Sequence, residues 1–455
     1  QQDNYQLHFS NQFSKKLSAT IAFHYTHGKG YYEQFKKGDD FSAYGLSNLI
    51  TETQTTFING TDTNLVVGAD TLSSSDFVRR RWLDNDFYGA TYNLNYKSDK
   101  LKLTFGGAYN IYDGDHFGEI IWAEYANGSD IRERYYDNNG LKTDFNSYLK
   151  FDYTIAKKTT LFADLQVRVI DYTAKGIDSD LKMVAIDTNF VFFNPKAGVN
   201  HKFSDKIRAY GSVAVGNKEP SRNDFIDNVK DEQPQHESLI DYELGAELKL
   251  KKVIISGNLY HMGYKNQLVV TGELNDVGSN IRANVTKSFR AGVELTTSFL
   301  ISKKVKLNLN GTYSQNKIED FVEVVYDDVT YAKIENNYKN TDIAFSPNMI
   351  AAASVEYNPF KSLNLMVQTK YVGKQFLDNT SNSNRKIDAY QTVDARISYS
   401  IFPKKIKEVS FNILANNILN TMYSSNGYTY QYLGTNNFYY PQAGANFLVG
   451  MTVKF

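Results

Sequence analysis

Aromatic rings and guanidinium groups come together twice in this sequence. Trp122, Tyr125, Arg132, Arg134, Tyr135 and Tyr136 crowd one polar stretch, and Trp82 follows directly on Arg79, Arg80 and Arg81. A π-face beside a planar cation suits a flat, anionic or sugar-like ligand, and such residues are the candidate ligand contacts. The same residues also suit a loop folding upon itself, or arginines meeting lipid phosphate. A second candidate is the run Asp113, Asp115, Phe117, Gly118 and Glu124. It approaches the calcium-loop pattern D-x-[DN]-x-[DN]-G-x5-E, but Phe117 stands where a ligand is needed and no helices flank it. No cofactor is therefore expected; calcium at Asp113, Asp115 and Glu124 is the alternative.

Other chemistries find little support. His24 and His27 are three apart, a spacing that sends them to opposite faces of a strand. His116, His201, His236 and His261 are isolated, and Cys is absent, so no metal site is expected. No nucleophile elbow, phosphate loop or H-E-x-x-H run occurs. Asp241, Glu243 and Glu247 share one strand face, where pairing with Lys or Arg of neighbouring strands is the simpler role. Nothing here makes an enzyme. Lys+Arg and Asp+Glu both number 50, a balance that favours no nucleic acid.

The elements that must carry these residues are strands. Phe145, Ser147, Leu149, Phe151, Tyr153 and Ile155 alternate with Asn146, Tyr148, Lys150, Asp152 and Thr154. Leu161, Ala163, Leu165, Val167 and Val169 then oppose Asp164, Gln166 and Arg168. One face is apolar and the other charged over about 10 residues, the length of a membrane-crossing strand. No apolar run approaches the roughly 18 residues of a membrane helix, and the mean hydropathy is that of a soluble protein. Both facts are compatible with a barrel, in which every second residue is polar.

Connections come in two alternating kinds. Ser14-Lys15-Lys16, Ala156-Lys157-Lys158, Ser204-Asp205-Lys206 and Ser302-Lys303-Lys304 are short turns. Residues 28–80, 113–140 and 317–342 are long polar stretches read as loops. Short turns on one side and long loops on the other is the plan of a bacterial outer-membrane barrel. The fold expected is all-β, a transmembrane antiparallel β-barrel with about 17 strands in this chain. Its first strand covers residues 5–13, its second 17–27 and its last 442–455. Tyr88, Tyr92, Tyr109 and Tyr399 suit an interfacial girdle.

Several stretches resemble TonB-dependent outer-membrane receptors, especially those of Bacteroidetes. They are FFNPKAGVNHKFSDKIRAYGSVAVGNKEPSRNDF (192–225), YHMGYKNQLVVTGELNDVG (260–278), KSFRAGVEL (287–295) and YVGKQFLDNTSNSNRKIDAYQTVDARISY (371–399). NILANNILNTMY (412–423) and the terminal YYPQAGANFLVGMTVKF (439–455) complete the series in order. The resemblance implies a plugged barrel of about 22 strands. Residues 1–455 would then be a single barrel domain, N-terminally incomplete, with the plug and about five strands lying outside it. It implies location in the outer membrane among lipid and lipopolysaccharide, with Phe455 serving barrel assembly. It further implies import of a scarce small-molecule ligand, an iron chelate or siderophore by family, driven by a TonB-type energy complex acting on the plug. Cobalamin, glycan and peptide are alternative cargoes. A structural barrel, binding partner outer-membrane or surface proteins in a larger assembly, is the alternative role.

Overall fold

The computed structural model describes residues 1–59, 62–227, 233–274, 280–327, 329–330, 332–431 and 434–455. They form two units, Gln1–Lys150 with Gln166–Phe192, and Phe151–Leu165 with Phe193–Phe455.

The first unit begins with β1 (Gln2–Gln12) and β2 (Leu17–Asp40). A single 3-10 turn (Phe41–Tyr44) leads to the hairpin β3 (Leu49–Asn59) and β4 (Asp62–Leu72). β5 (Ser74–Lys97) and β6 (Leu101–Ala123) follow, and β7 (Arg134–Ala156), β8 (Thr159–Ile177) and β9 (Met183–Lys202) are shared with the second unit. Serine makes the short turns. Ser14 Oγ accepts the backbone N–H groups of Lys16 and Leu17, both at 3.1 Å, and Ser98 Oγ accepts that of Leu101. A hydroxyl that caps the turn backbone in this way favours reversal within a few residues. Antiparallel registers then align the faces: Phe9 opposes Ile21, Ile21 opposes Tyr92, and Leu94 opposes Phe105.

In the second unit β10 (Ile207–Lys218) is followed by a one-turn helix α1 (Arg222–Ile226), β11 (Glu237–Lys249), β12 (Val253–Leu274), β13 (Asn280–Leu300) and β14 (Val305–Tyr326). Then come β15 (Lys333–Asp342), β16 (Met349–Phe360), β17 (Leu363–Val372), the two-residue strands β18 (Gln375–Phe376) and β19 (Lys386–Ile387), and β20 (Tyr390–Ile401). β21 (Glu408–Asn416), the hairpin β22 (Ser424–Gln431) and β23 (Thr435–Pro441), and β24 (Asn446–Lys454) close the series. Strands β9 to β14 pair in sequence order, and the sheet continues through β16, β17, β20, β21 and β24. β14 has two partners. Its proximal half pairs with β16 (Val305↔Tyr357 to Tyr313↔Met349), and its distal half with β15 (Lys317↔Asp342 to Tyr326↔Lys333).

Register places one apolar row across this unit. Leu244 opposes Leu259, which opposes Val293, which opposes Tyr313. Their exposures are 60%, 54%, 43% and 58%. Large apolar side chains left open in continuous rows on a sheet of this width mark a lipid-facing surface. The opposite face is polar and internally bonded: Ser298 donates to Asn308 at 3.0 Å, and Ser398 to Asn412 at 2.7 Å.

Seventeen strands carry the apolar band among the described residues: β1, β2, β5 to β14, β16, β17, β20, β21 and β24. The count agrees with the expected number. Element lengths do not. The stretches read as long loops are largely strand, with β2 and β5 running 24 residues each and β6 and β7 23. At about 3.3 Å per residue such strands far exceed a bilayer. Trp82, Trp122, Arg134, Tyr135 and Tyr136 therefore stand on strands, while Tyr125 and Arg132 remain in a loop. Beyond the apolar band both faces carry polar residues, so the strand loses its hydropathy alternation without losing its ladder. The first strand spans Gln2–Gln12 and the last starts at Asn446, leaving Phe455 just past its end. Phe447, Val449, Met451 and Val453 share the apolar face, opposite Ala415, Ile413, Phe411 and Val409.

Candidate ligand-binding site

Above the apolar band of the first unit, Phe41, Tyr44, Phe77, Ile120, Tyr135 and Tyr136 form a buried aromatic core. Tyr44 stands 4.3 Å from Phe77 and 4.9 Å from Tyr135, ring to ring, and Tyr135 meets Tyr136 edge-on at 5.0 Å. Edge-to-face and tilted contacts at these distances add to simple burial. Gly45, in the left-handed region at φ 69°, ends the 3-10 turn that brings Phe41 and Tyr44 here.

Two arginines border this core from alternate positions on β5. Arg79 is buried, donates Nε and Nη2 to Gln34 Oε1 at 3.1 Å each, and lies 4.0 Å from Asp39. Arg81 differs. Its Nε donates to the Tyr135 hydroxyl and its Nη1 to the Tyr32 hydroxyl, both at a long 3.4 Å. No carboxylate of the described residues pairs with it. Burial opposes its charge, yet the phenols of Tyr135 and Tyr32 hold the guanidinium protonated more firmly than usual. Burial, then the hydrogen bond to Asp39, pushes the Tyr44 phenol above its ordinary range. Burial, then Tyr135, does the same for Tyr136. The group is thus a fixed cation among neutral phenols, held by weak bonds that a better acceptor would replace. It offers recognition of an anion and neither a nucleophile nor a proton shuttle.

Trp82 and Arg134 are placed on the other face of these strands, continuous with the side that carries Tyr25 and Tyr88 below. Arg80 binds Glu33 at 2.8 Å and lies 4.2 Å over Tyr31; Tyr31 meets Trp82 at 4.5 Å. Trp82 stacks on Phe117 at 5.8 Å and donates Nε1 to Glu119 at 2.8 Å. Arg134 lies 3.6 Å over Phe117 and binds Asp137 at 2.6 Å. This cross-strand ladder consumes its own cations and ring faces. Trp122 and Tyr125 are exposed near the tip of β6, Tyr125 N–H donating to Ser75 Oγ. Arg132 has φ 67°, and its N–H closes the turn on Ile120 O. Of the seven candidates, the structure brings Tyr135 and Tyr136 together with Arg81. Tyr32 and Gln34 escaped the sequence reading. Their even-numbered alternation opposite Arg79 and Arg81 was the available signal, 49 residues away for the Tyr32–Arg81 pair.

Asp113 and Asp115 both accept from the Asn139 amide, at 2.7 and 2.8 Å. Glu124 lies beyond the end of β6, and Asp115 to Ala123 alone spans about 26 Å of strand. The three carboxylates of the calcium pattern do not converge. In the second unit, Arg385 is buried between Glu323 (2.5 Å) and Asp378 (2.7 Å), and Asn379 bonds Ala344 N–H and Val270 O. These contacts fasten the segment between β18 and β19 to β12, β14 and the chain following β15.

A family model described as TonB dependent receptor-like, beta-barrel matches residues 1–418. Among solved structures, the chain is similar to the siderophore receptor PiuA from Acinetobacter baumannii, with a TM-score of 0.68 at 15% identity, covering 99% of this chain and 64% of that one. It is similar to the ferric yersiniabactin uptake receptor FyuA from Yersinia pestis (0.62, 13% identity, 99% and 60%). It is similar also to the copper transporter OprC (0.71, 11% identity, 100% and 65%). The chain spans less than two thirds of the length of each, and likeness at such identities speaks for the fold.

Proposed function

The chain belongs to the TonB-dependent receptor-like β-barrel family of outer-membrane proteins, and from that premise we propose that it serves import of an anionic iron chelate, energised by a TonB-type complex. The observation that carries this reading is Arg81, a guanidinium on the polar face whose partners are two phenols at 3.4 Å. A permanently charged planar donor set with aromatic neighbours suits carboxylate, hydroxamate or catecholate oxygens of a ferric complex better than the weak acceptors it has. The similarity to receptors named for siderophores and ferric yersiniabactin supports the cargo class.

The test is uptake. A strain lacking the whole protein is supplied with radioactive iron as citrate, catecholate or hydroxamate complexes under iron limitation. Restoration by the wild-type protein on one of these sources, with Arg81→Ala reducing binding about tenfold or more, supports the reading. Equal uptake with and without the protein on every source refutes it.

A further inference from the structure

We propose a carboxylate-binding site in the second unit, built by Arg290 and Tyr264. Arg290 stands on β13 in register with Met262 of β12 and Asn316 of β14, on the polar face opposite Val293. Its Nη1 donates to Ser346 Oγ at 2.9 Å and to Asn316 Oδ1 at 3.3 Å. Those acceptors are neutral. No carboxylate of the described residues pairs with Arg290, and the only further side-chain partner of its guanidinium among them is the Tyr264 hydroxyl. Three other arginines of the unit differ: Arg208 holds Glu247, Arg282 holds Asp224 at 2.7 Å, and Arg385 holds Asp378 at 2.7 Å, whereas Arg396 also meets a neutral oxygen, Asn364 Oδ1, at 3.4 Å.

Tyr264 is the diagonal neighbour of Arg290 on the same face. Its hydroxyl touches the Arg290 guanidinium and otherwise reaches only the thioether of Met262, at 3.8 Å. A phenol donating to sulfur gives up little when an oxygen arrives. The Nε/Nη2 edge of a guanidinium presents two parallel N–H groups, the fork that two carboxylate oxygens fill. With one such oxygen also taking the Tyr264 hydroxyl, a carboxylate would gain three charge-assisted bonds while leaving the Ser346 and Asn316 bonds intact. Those two bonds hold the guanidinium plane before the ligand comes, which lowers the ordering cost of binding. The carboxylates of β11 do not fill the fork. Glu237 faces Lys218 at 3.7 Å, and Asp241 is opposite Met262, two strands or about 10 Å from Arg290.

The site is independent of the import reading, so failed iron uptake would leave it standing. Its test uses the whole protein in detergent with 15N-labelled arginine. The Arg290 Nε–H resonance is identified by its loss in Arg290→Lys, which keeps the charge and the strand. Titration with acetate is expected to move that resonance saturably, and methyl acetate to leave it in place. Tyr264→Phe is expected to weaken acetate about fivefold, the worth of one hydrogen bond. An Arg290 resonance unmoved by acetate, or moved equally by the ester, overturns the proposal. So would an acetate response of unchanged affinity in Tyr264→Phe, as regards the role of the phenol.

Discussion

A residue acts here through what it is already bonded to. Arg80 and Arg134 sit on aromatic faces but hold Glu33 and Asp137, whereas Arg81 has only phenols. Exposed pairs of the first kind contribute about 0–1 kcal/mol, so Glu33→Gln should change thermal stability little. Tyr44 and Tyr136 make a sharper case. Burial raises both phenols above the ordinary tyrosine pKa of about 10. The folded state therefore keeps protons that the unfolded chain gives up first. This contribution to stability is complete below the ordinary value and declines as pH rises through the raised folded pKa. Alkaline titration followed at 295 nm should show late-ionising tyrosines that Tyr44→Phe and Tyr136→Phe remove one at a time; titration of both with the bulk would contradict their burial. Which cation was unpaired could not be read along the sequence, because pairing is decided across strands and the partners lie far apart in the chain.

At the scale of elements, alternation and Ser-Lys turns made the membrane strands legible. Phe145 to Ile155 and Leu161 to Val169 each show an apolar and a polar face because lipid and water select opposite residues there. Above the apolar band that selection ends. Residues 28–36 and 77–85 are charged or aromatic on both faces, and their strand character rests on cross-strand pairs such as Tyr31 with Trp82. Such pairs are invisible until the register is known. Close strand packing is equally hidden. A Cβ at Gly245 would collide with the Tyr210 ring on the neighbouring strand, and one at Gly292 with the Tyr260 hydroxyl. Gly245→Val should displace Tyr210 from its 3.1 Å bond to Asn258 and cost about 1–3 kcal/mol, read as a lower denaturant midpoint for barrel unfolding. An unchanged midpoint would mean that the ring has room to turn. Asp378→Asn leaves Arg385 with one charged partner, and the segment between β18 and β19 should become a protease target, since breaking a buried ion pair costs about 3–5 kcal/mol.

For the whole molecule, the decisive property is a sheet with opposite solvents on its two faces. Val293 and Glu294 are neighbours in sequence, one on the exposed apolar row and the other on the polar side. Val293→Arg should destabilise the bilayer-inserted protein by about 2–4 kcal/mol. Glu294→Gln should fall within about 0.5 kcal/mol, as substitutions away from buried networks do. Refolding equilibria in lipid vesicles would separate the two, and equal effects would argue against the assignment of faces. The same two-sidedness agrees with the family match and its outer-membrane location, whereas the proposed cargo would be chosen by a handful of side chains beyond the apolar band.

β14 has one further consequence. Below Tyr313 it is zipped to β16, and from Lys317 upward to β15, so two hairpins hang on one continuous rail. The upper zipper is free to part without loosening the lower one. Hydrogen exchange should then read β14 as two blocks: amides of residues 318–326 exchanging by local opening, and those of 305–313 surviving until the sheet itself comes apart. A single strand would thus belong to two clocks, a fast one facing the medium and a slow one set by the bilayer.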